Sequence, residues 1–219
     1  MITERLKAIK ENLPKGVQLV AVSKTKPVSA IQEAYNQGQR IFGENKVQEL
    51  VSKYESLQKD IEWHFIGHLQ SNKVKFIAPF IHLIHSIDSK KLLIEVNKEA
   101  VKNNRIISCL IQFHIAEEET KHGFIFEEIQ ELLESSSFSE LTNIHIVGVM
   151  GMASNTSDEA IIMNEFQILH NYFHLMKSHY FKFNPDFKEI SMGMSNDYQL
   201  AIDQGSTMIR LGSTIFGSR

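Results

Sequence analysis

The chain has 219 residues, room for one large domain or two small ones at about 150 residues each. Lys plus Arg is 23 against 26 for Asp plus Glu, a net charge of -3, so no basic surplus points to a nucleic-acid partner. With 42% hydrophobic and 22% charged residues the composition is that of a folded protein and excludes a disordered chain.

Taken in chain order, the charged amphipathic segment 2–12 predicts an N-terminal helix, followed by an apolar run at 18–23 that predicts the first strand. A helix over 27–37 starts at Pro27 and stops at Gly38. Then come a strand at 40–43, a helix at 46–58, strands at 62–66 and 81–86, and a helix at 88–103. The second half reads strand 106–114, helix 124–135, strand 144–150, helix 157–179, strand 187–191, helix 196–204 ending before Gly205, and strand 207–211. Segments 135–137 and 153–157 read as polar loops. Most of the strand runs are rich in Val, Ile and Phe without a clean period of two, as in parallel strands buried on both faces. Eight strands separated by helices predict an α/β protein with a single (β/α)8 TIM barrel over residues 1–219. The alternative, an open doubly wound sheet, would carry a GxGxxG loop after an early strand, and the chain has none.

Cys109 is the only cysteine, so neither an intrachain disulfide nor a cysteine-rich zinc site is expected, which fits a reducing compartment. The N-terminal segment lacks an apolar signal-peptide core, and no run reaches the roughly 18 apolar residues of a membrane span. The expectation is a soluble cytoplasmic monomer with no nucleic-acid or membrane partner.

In a barrel of this kind the chemistry sits where strands end. Gly, Asn, Ser and Lys recur there. Val20, Val22 and Lys24 share one face, so Lys24 is expected at the barrel mouth, where partial burial would favour a nucleophilic amine able to form a Schiff base. A strand-end lysine extending into water is the competing reading. Arg210 interrupts the last apolar run and needs either a ligand or a core carboxylate. The loops holding Ser195 and Gly212–Ser213 stand where barrels often bind phosphate, with Ser195 read as the N-cap of the following helix; ordinary capping and turn chemistry is the alternative. His82 and His85, three apart in a strand, should point to opposite faces, and His170 and His174 lack an HExxH partner, so no metal site is expected. Glu117, Glu118 and Glu119 read as a solvated charge run.

Six motifs in register, AVSKTKP around Lys24, FGENKVQE (42–49), WHFIGHLQSNK (63–73), GVMGM (148–152), SMGMSND (191–197) and IRLGSTIFGSR (209–219), closely resemble the pyridoxal phosphate homeostasis protein family, the YggS/PROSC type. The resemblance covers nearly the whole chain. It implies a fold-type III PLP-binding barrel like the N-terminal barrel of alanine racemase, with pyridoxal 5'-phosphate (PLP) attached covalently at Lys24. By resemblance Arg210 faces the pyridine nitrogen, and Ser195, Gly212 and Ser213 meet the phosphate. Asn45 and His64 match motif residues near the cofactor, and Lys121 and Gly123 match a further motif with no contact assigned. The segment before Lys24 is shorter than in many members, and His68 stands where many carry proline. An arginine at the ring nitrogen weakens PLP as an electron sink. With few residues after Gly212, no second domain is expected to supply the second base that racemases of this fold use. The leading expectation is a non-enzymatic carrier that binds PLP and related B6 vitamers and supplies PLP-dependent apo-enzymes. The alternative is an amino-acid racemase; from the residues without the resemblance, a Schiff-base aldolase acting on a sugar phosphate.

Overall fold

The strands form a closed barrel of eight parallel members in sequence order, β1 beside β8. In the computed structural model, which describes residues 1–118 and 122–217, these are β1 (Gln18–Val22), β2 (Ile41–Glu44), β3 (Glu62–Phe65), β4 (Leu83–Ile87), β5 (Ile107–Gln112), β6 (Ile144–Met150), β7 (Glu189–Ser191) and β8 (Met208–Leu211). The helices are α1 (Ile2–Asn12), α2 (Val28–Asn36), α3 (Val47–Ser56), α4 (Val74–Ile77), α5 (Lys90–Lys102), α6 (Phe126–Glu134), α7 (Ser136–Ser139), α8 (Glu159–His179), α9 (Tyr198–Asp203) and α10 (Ser213–Phe216), with one 3-10 turn at Ser71–Lys73. The predicted (β/α)8 barrel is therefore the observed fold, and every predicted strand has its counterpart.

Three corrections are local. Segment 135–137 does not remain a loop, because α7 begins at Ser136. Pro27 stands at the N-cap, one residue before α2, where its missing amide is harmless. Glu118 is not simply solvated: its carboxylate accepts the Asn155 amide at 3.0 Å.

The core has two parts. The larger fills the space between strands and helices, with Phe42, Trp63, Phe65, Phe113 and Phe166 almost fully buried. The smaller lies inside the barrel and consists of Val20, Leu83, Leu110, Met150 and Met208. A strand caught between these layers is buried on both faces, as in β4, where all five residues are buried. Polar residues also enter the interior: His64, His85, Ser191 and Arg210 are each at most 4% exposed. No described helix is long and apolar enough to cross a membrane.

Candidate functional site at the barrel mouth

Val20 lies in the interior cluster, so two-residue alternation carries Val22 and then Lys24 to the C-terminal end of the barrel. There a cavity of about 590 Å³ is lined by Lys24, Asn45, His68, Met152, Ser195, Arg210, Gly212 and Ser213, among others. Six of the seven residues expected around a cofactor thus meet at one place. The exception is His64, discussed below.

Lys24 is half-buried and is followed by a strained link. Thr25 has φ 64°, left-handed backbone that a β-branched residue rarely adopts. A carboxylate holds it there: the Thr25 amide donates to Glu49 Oε1 at 2.5 Å. Glu49 is fixed in turn by Lys53 Nζ at 2.6 Å, and the same ammonium donates to Glu44 Oε1 at 2.7 Å and to the Ser23 carbonyl at 2.8 Å. Ser23 Oγ donates to Glu44 Oε1 at 2.6 Å. Burial pushes the Glu44 carboxyl up, against the pull of Lys53 and Ser23. This network grips the chain on both sides of Lys24, and sequence reading missed all three charged members. The visible signal was Glu49 and Lys53 four apart on one helix.

Asn45 sits between β2 and α3, held against the loop after β3 by a close backbone approach. A Cβ at Gly67 would lie 2.6 Å from the Asn45 carbonyl oxygen and 2.8 Å from its Cα. Gly123 acts similarly in the loop after β5: at φ 145°, a Cβ there would stand 2.4 Å from the His114 nitrogen. Its role is to lay the chain against the end of β5, where Phe113 and Phe124 pair. Lys121 lies outside the described residues.

Ser195 does not cap a helix. The following helix, α9, begins at Tyr198 with Asp197 at its N-cap, and Asp197 Oδ1 accepts the Met194 amide at 2.5 Å. Ser195 Oγ instead accepts the Gly212 amide at 3.3 Å and so joins the loops after β7 and β8. The two loops read as a phosphate site thus share one wall of the cavity, with Ser213 beside them.

Arg210 is 4% exposed and reaches the cavity from inside the barrel. It donates to Ser191 Oγ at 2.6 Å and to the Gly151 carbonyl at 3.1 Å. Among the described residues no carboxylate lies within 4.0 Å of it, so the core-ion-pair alternative fails. Burial pushes the guanidinium down to about 10, offset in part by Asp197, and it remains charged at neutral pH.

His64 does not line this cavity. It is 1% exposed inside the barrel, with Nδ1 hydrogen-bonded to His85 Nε2 at 2.9 Å; His85 Nδ1 meets Ser191 Oγ at 2.9 Å. A continuous polar chain therefore runs from Arg210 through Ser191 and His85 to His64. Burial holds His64 down to about 3, with His82 adding to the shift, and holds His85 well below its ordinary value. Both rings are neutral at physiological pH. The expectation that His82 and His85 diverge is corrected: β4 starts at Leu83, so His82 precedes the strand, and both rings approach His64, with centroids 5.5 and 5.0 Å away. His85 and Ser191 were absent from the expected site; each occupies an inward strand position that hydrophobicity alone cannot flag.

Comparison with known proteins fits this geometry. Residues 1–219 match the family described as alanine racemase, N-terminal domain. The chain is 38% identical over 222 residues to the pyridoxal phosphate homeostasis protein of Aquifex aeolicus (strain VF5), covering 100% of this chain and 95% of that one. It is 41% identical over 211 residues to the protein of the same name from Vibrio alginolyticus, covering 94% and 88%. Among solved structures, PipY of Synechococcus elongatus PCC7942 with PLP bound superposes with a TM-score of 0.90 at 34% identity, over 99% of this chain and 100% of that one. Alanine racemase from E. faecalis, at 16% identity and a TM-score of 0.74, shares the fold; this chain spans 58% of it.

Proposed function

The chain belongs to the alanine racemase N-terminal domain family, and on that basis we propose that it is a cytoplasmic PLP carrier, holding the cofactor at the barrel mouth and supplying it to apo-enzymes. The observation that carries this reading is the convergence of Lys24, Ser195, Arg210, Gly212 and Ser213 on one cavity of about 590 Å³. The donor set suits PLP. Lys24 supplies an amine for covalent Schiff-base attachment of the aldehyde. The Ser195 and Ser213 hydroxyls, with backbone amides of their loops, suit a phosphate. Arg210, charged and without a carboxylate partner among the described residues, suits an acceptor ring nitrogen and disfavours its protonation. When bound, PLP supplies a reactive aldehyde and a conjugated ring that draws electrons from an attached carbon. The residues here bind and orient that group, and Arg210 restrains its electron demand. The relatives that bear the homeostasis name, and that this chain covers almost completely, support a carrier over an enzyme.

The test is the visible absorption of the purified protein incubated with PLP, repeated with Lys24→Ala. The variant is expected to lose the lysine-bound spectrum; an unchanged covalent signal would overturn the role of Lys24. Loaded protein should then reactivate a PLP-dependent apo-enzyme, and no transfer would sink the carrier role. His68 and His122, stacked at 4.2 Å on the cavity wall, supply imidazoles that a racemase could use as a second base. Incubation with single-enantiomer amino acids decides between the readings: sustained inversion would displace the carrier assignment.

A further inference from the structure

The barrel has a second cavity, about 250 Å³, at its N-terminal end, lined by Gln18, His64, His82, Ser108 and Glu189 among others. At this end Glu62, His64 and His82 each offer one ligand atom, and these atoms lie within 4.8 Å of one another. The backbone builds the cluster. Glu62 and His64 are two apart on β3 and share a face. The His82 amide donates to the Trp63 carbonyl at 2.9 Å, which sets His82 beside that strand. The His64 and His82 rings are nearly parallel, 7° apart, and His82 Nε2 is 3.6 Å from Glu62 Oε2. A tetrahedral ion about 2.0–2.2 Å from its ligands separates them by roughly 3.3–3.6 Å, so this pair already has a ligand-to-ligand spacing.

An independent observation points to a ligand. His64 Nδ1 is engaged by His85, while His64 Nε2 is buried with no hydrogen-bond partner, on a residue 1% exposed. A buried polar atom without a partner is costly and rare. The engaged nitrogen also has the arrangement that metal-bound histidines require, since such a ring donates its other N–H to a fixed acceptor. His85 Nε2 serves as that acceptor at 2.9 Å, and is itself anchored to Ser191.

We propose that Glu62, His64 and His82 bind a zinc-class divalent cation, with a fourth position open to the N-terminal cavity. Two imidazoles and one carboxylate select a borderline transition metal over magnesium or calcium, which prefer all-oxygen sites. Metal on His64 Nε2 places the remaining proton on Nδ1, so His64 donates to His85 and His85 donates to Ser191. The site lies at the other end of the barrel from the cavity that holds Lys24, joined to it through the His85, Ser191 and Arg210 chain.

The experiment is calorimetric titration of chelator-treated protein with zinc alone. Two other clusters compete for zinc: His68, Asp88 and His122 at the mouth, and His170 with His174, whose Nε2 atoms are 3.0 Å apart on α8. Glu62 and His82 are 44% and 53% exposed, so Glu62→Gln and His82→Ala should fold. The expected result is one zinc per chain, weakened in each of these variants by more than the roughly 100-fold that a change outside the ligand set costs, and retained in His68→Ala and His170→Ala. The ring nitrogen shifts of His64 should show Nε2 ligated and Nδ1 protonated. Absence of zinc binding, unchanged affinity in Glu62→Gln and His82→Ala, or loss in His68→Ala or His170→Ala instead, would each overturn the site.

Discussion

Lys24 owes its placement to a neighbour in an unfavourable conformation. Left-handed backbone costs a non-glycine residue about 1–2 kcal/mol, and Thr25 is β-branched and exposed, with little packing to offset it. The offset comes from Glu49, which accepts the Thr25 amide and is itself locked by Lys53. Two variants separate strain from support. Thr25→Asn, a residue that tolerates this region, should raise the unfolding free energy measured with denaturant by about 0.5–1 kcal/mol. Glu49→Ala removes the acceptor from both the amide and one bond of a buried ammonium, so it should cost on the order of 1–3 kcal/mol and weaken PLP binding. If Glu49→Ala leaves both unchanged, the network does not position Lys24.

At the scale of elements, the barrel mouth depends on loops meeting at van der Waals distance. Gly67 is one such case: the atoms that an added Cβ would strike include the Asn45 backbone, which cannot rotate away as a side chain could. Gly67→Ala is expected to cost about 1–3 kcal/mol by overpacking and to reduce PLP affinity, while circular dichroism still reports an intact barrel. An unchanged binding isotherm would show that the loop after β2 can move without consequence. The eight strands were legible as short runs rich in apolar residues, and at 144–150 predicted and observed bounds coincide. The four-residue helices α4, α7 and α10 were not, since about one turn leaves no periodicity to detect. Ser195 shows the limit of cap reasoning: a serine before a helical pattern satisfies the local rule, yet the helix starts two residues later than predicted, with Asp197 at the N-cap position, and Ser195 reaches across to Gly212. His64 shows the limit of motif reasoning, because a motif preserves neighbourhood in sequence but not which end of a strand a side chain serves.

For the molecule as a whole, closure is the step that makes a barrel of an eight-stranded sheet, and the ladder is thinnest between β7 and β8. That seam has a single register pair, Ser191 with Met208, and β7 is only three residues long. Side chains take over where the ladder runs short. Thr207 Oγ1 accepts the Ile190 amide at 2.8 Å and donates to Glu189 Oε2 at 2.8 Å. Ser206 Oγ donates to the Met192 carbonyl at 2.8 Å, and Arg210 reaches Ser191 Oγ at 2.6 Å. Thr207 and Ser206 satisfy backbone groups, the Ile190 amide and the Met192 carbonyl, while Ser191 ties in the Arg210 side chain. Removing one while keeping shape leaves its partner unpaired and costs about 1–3 kcal/mol, more than the net value of an average hydrogen bond. Thr207→Val and Ser191→Ala should therefore each lower global stability by that amount in denaturant unfolding, whereas Thr142→Val, whose exposed hydroxyl bonds only the neighbouring Asn143 side chain, should fall within about 0.5 kcal/mol of the unchanged protein. Equal effects at Thr142 and Thr207 would mean that the seam is held by packing and its backbone bonds, such as the Thr207 amide to the Ile190 carbonyl at 3.0 Å, and that its hydroxyls are incidental to closure.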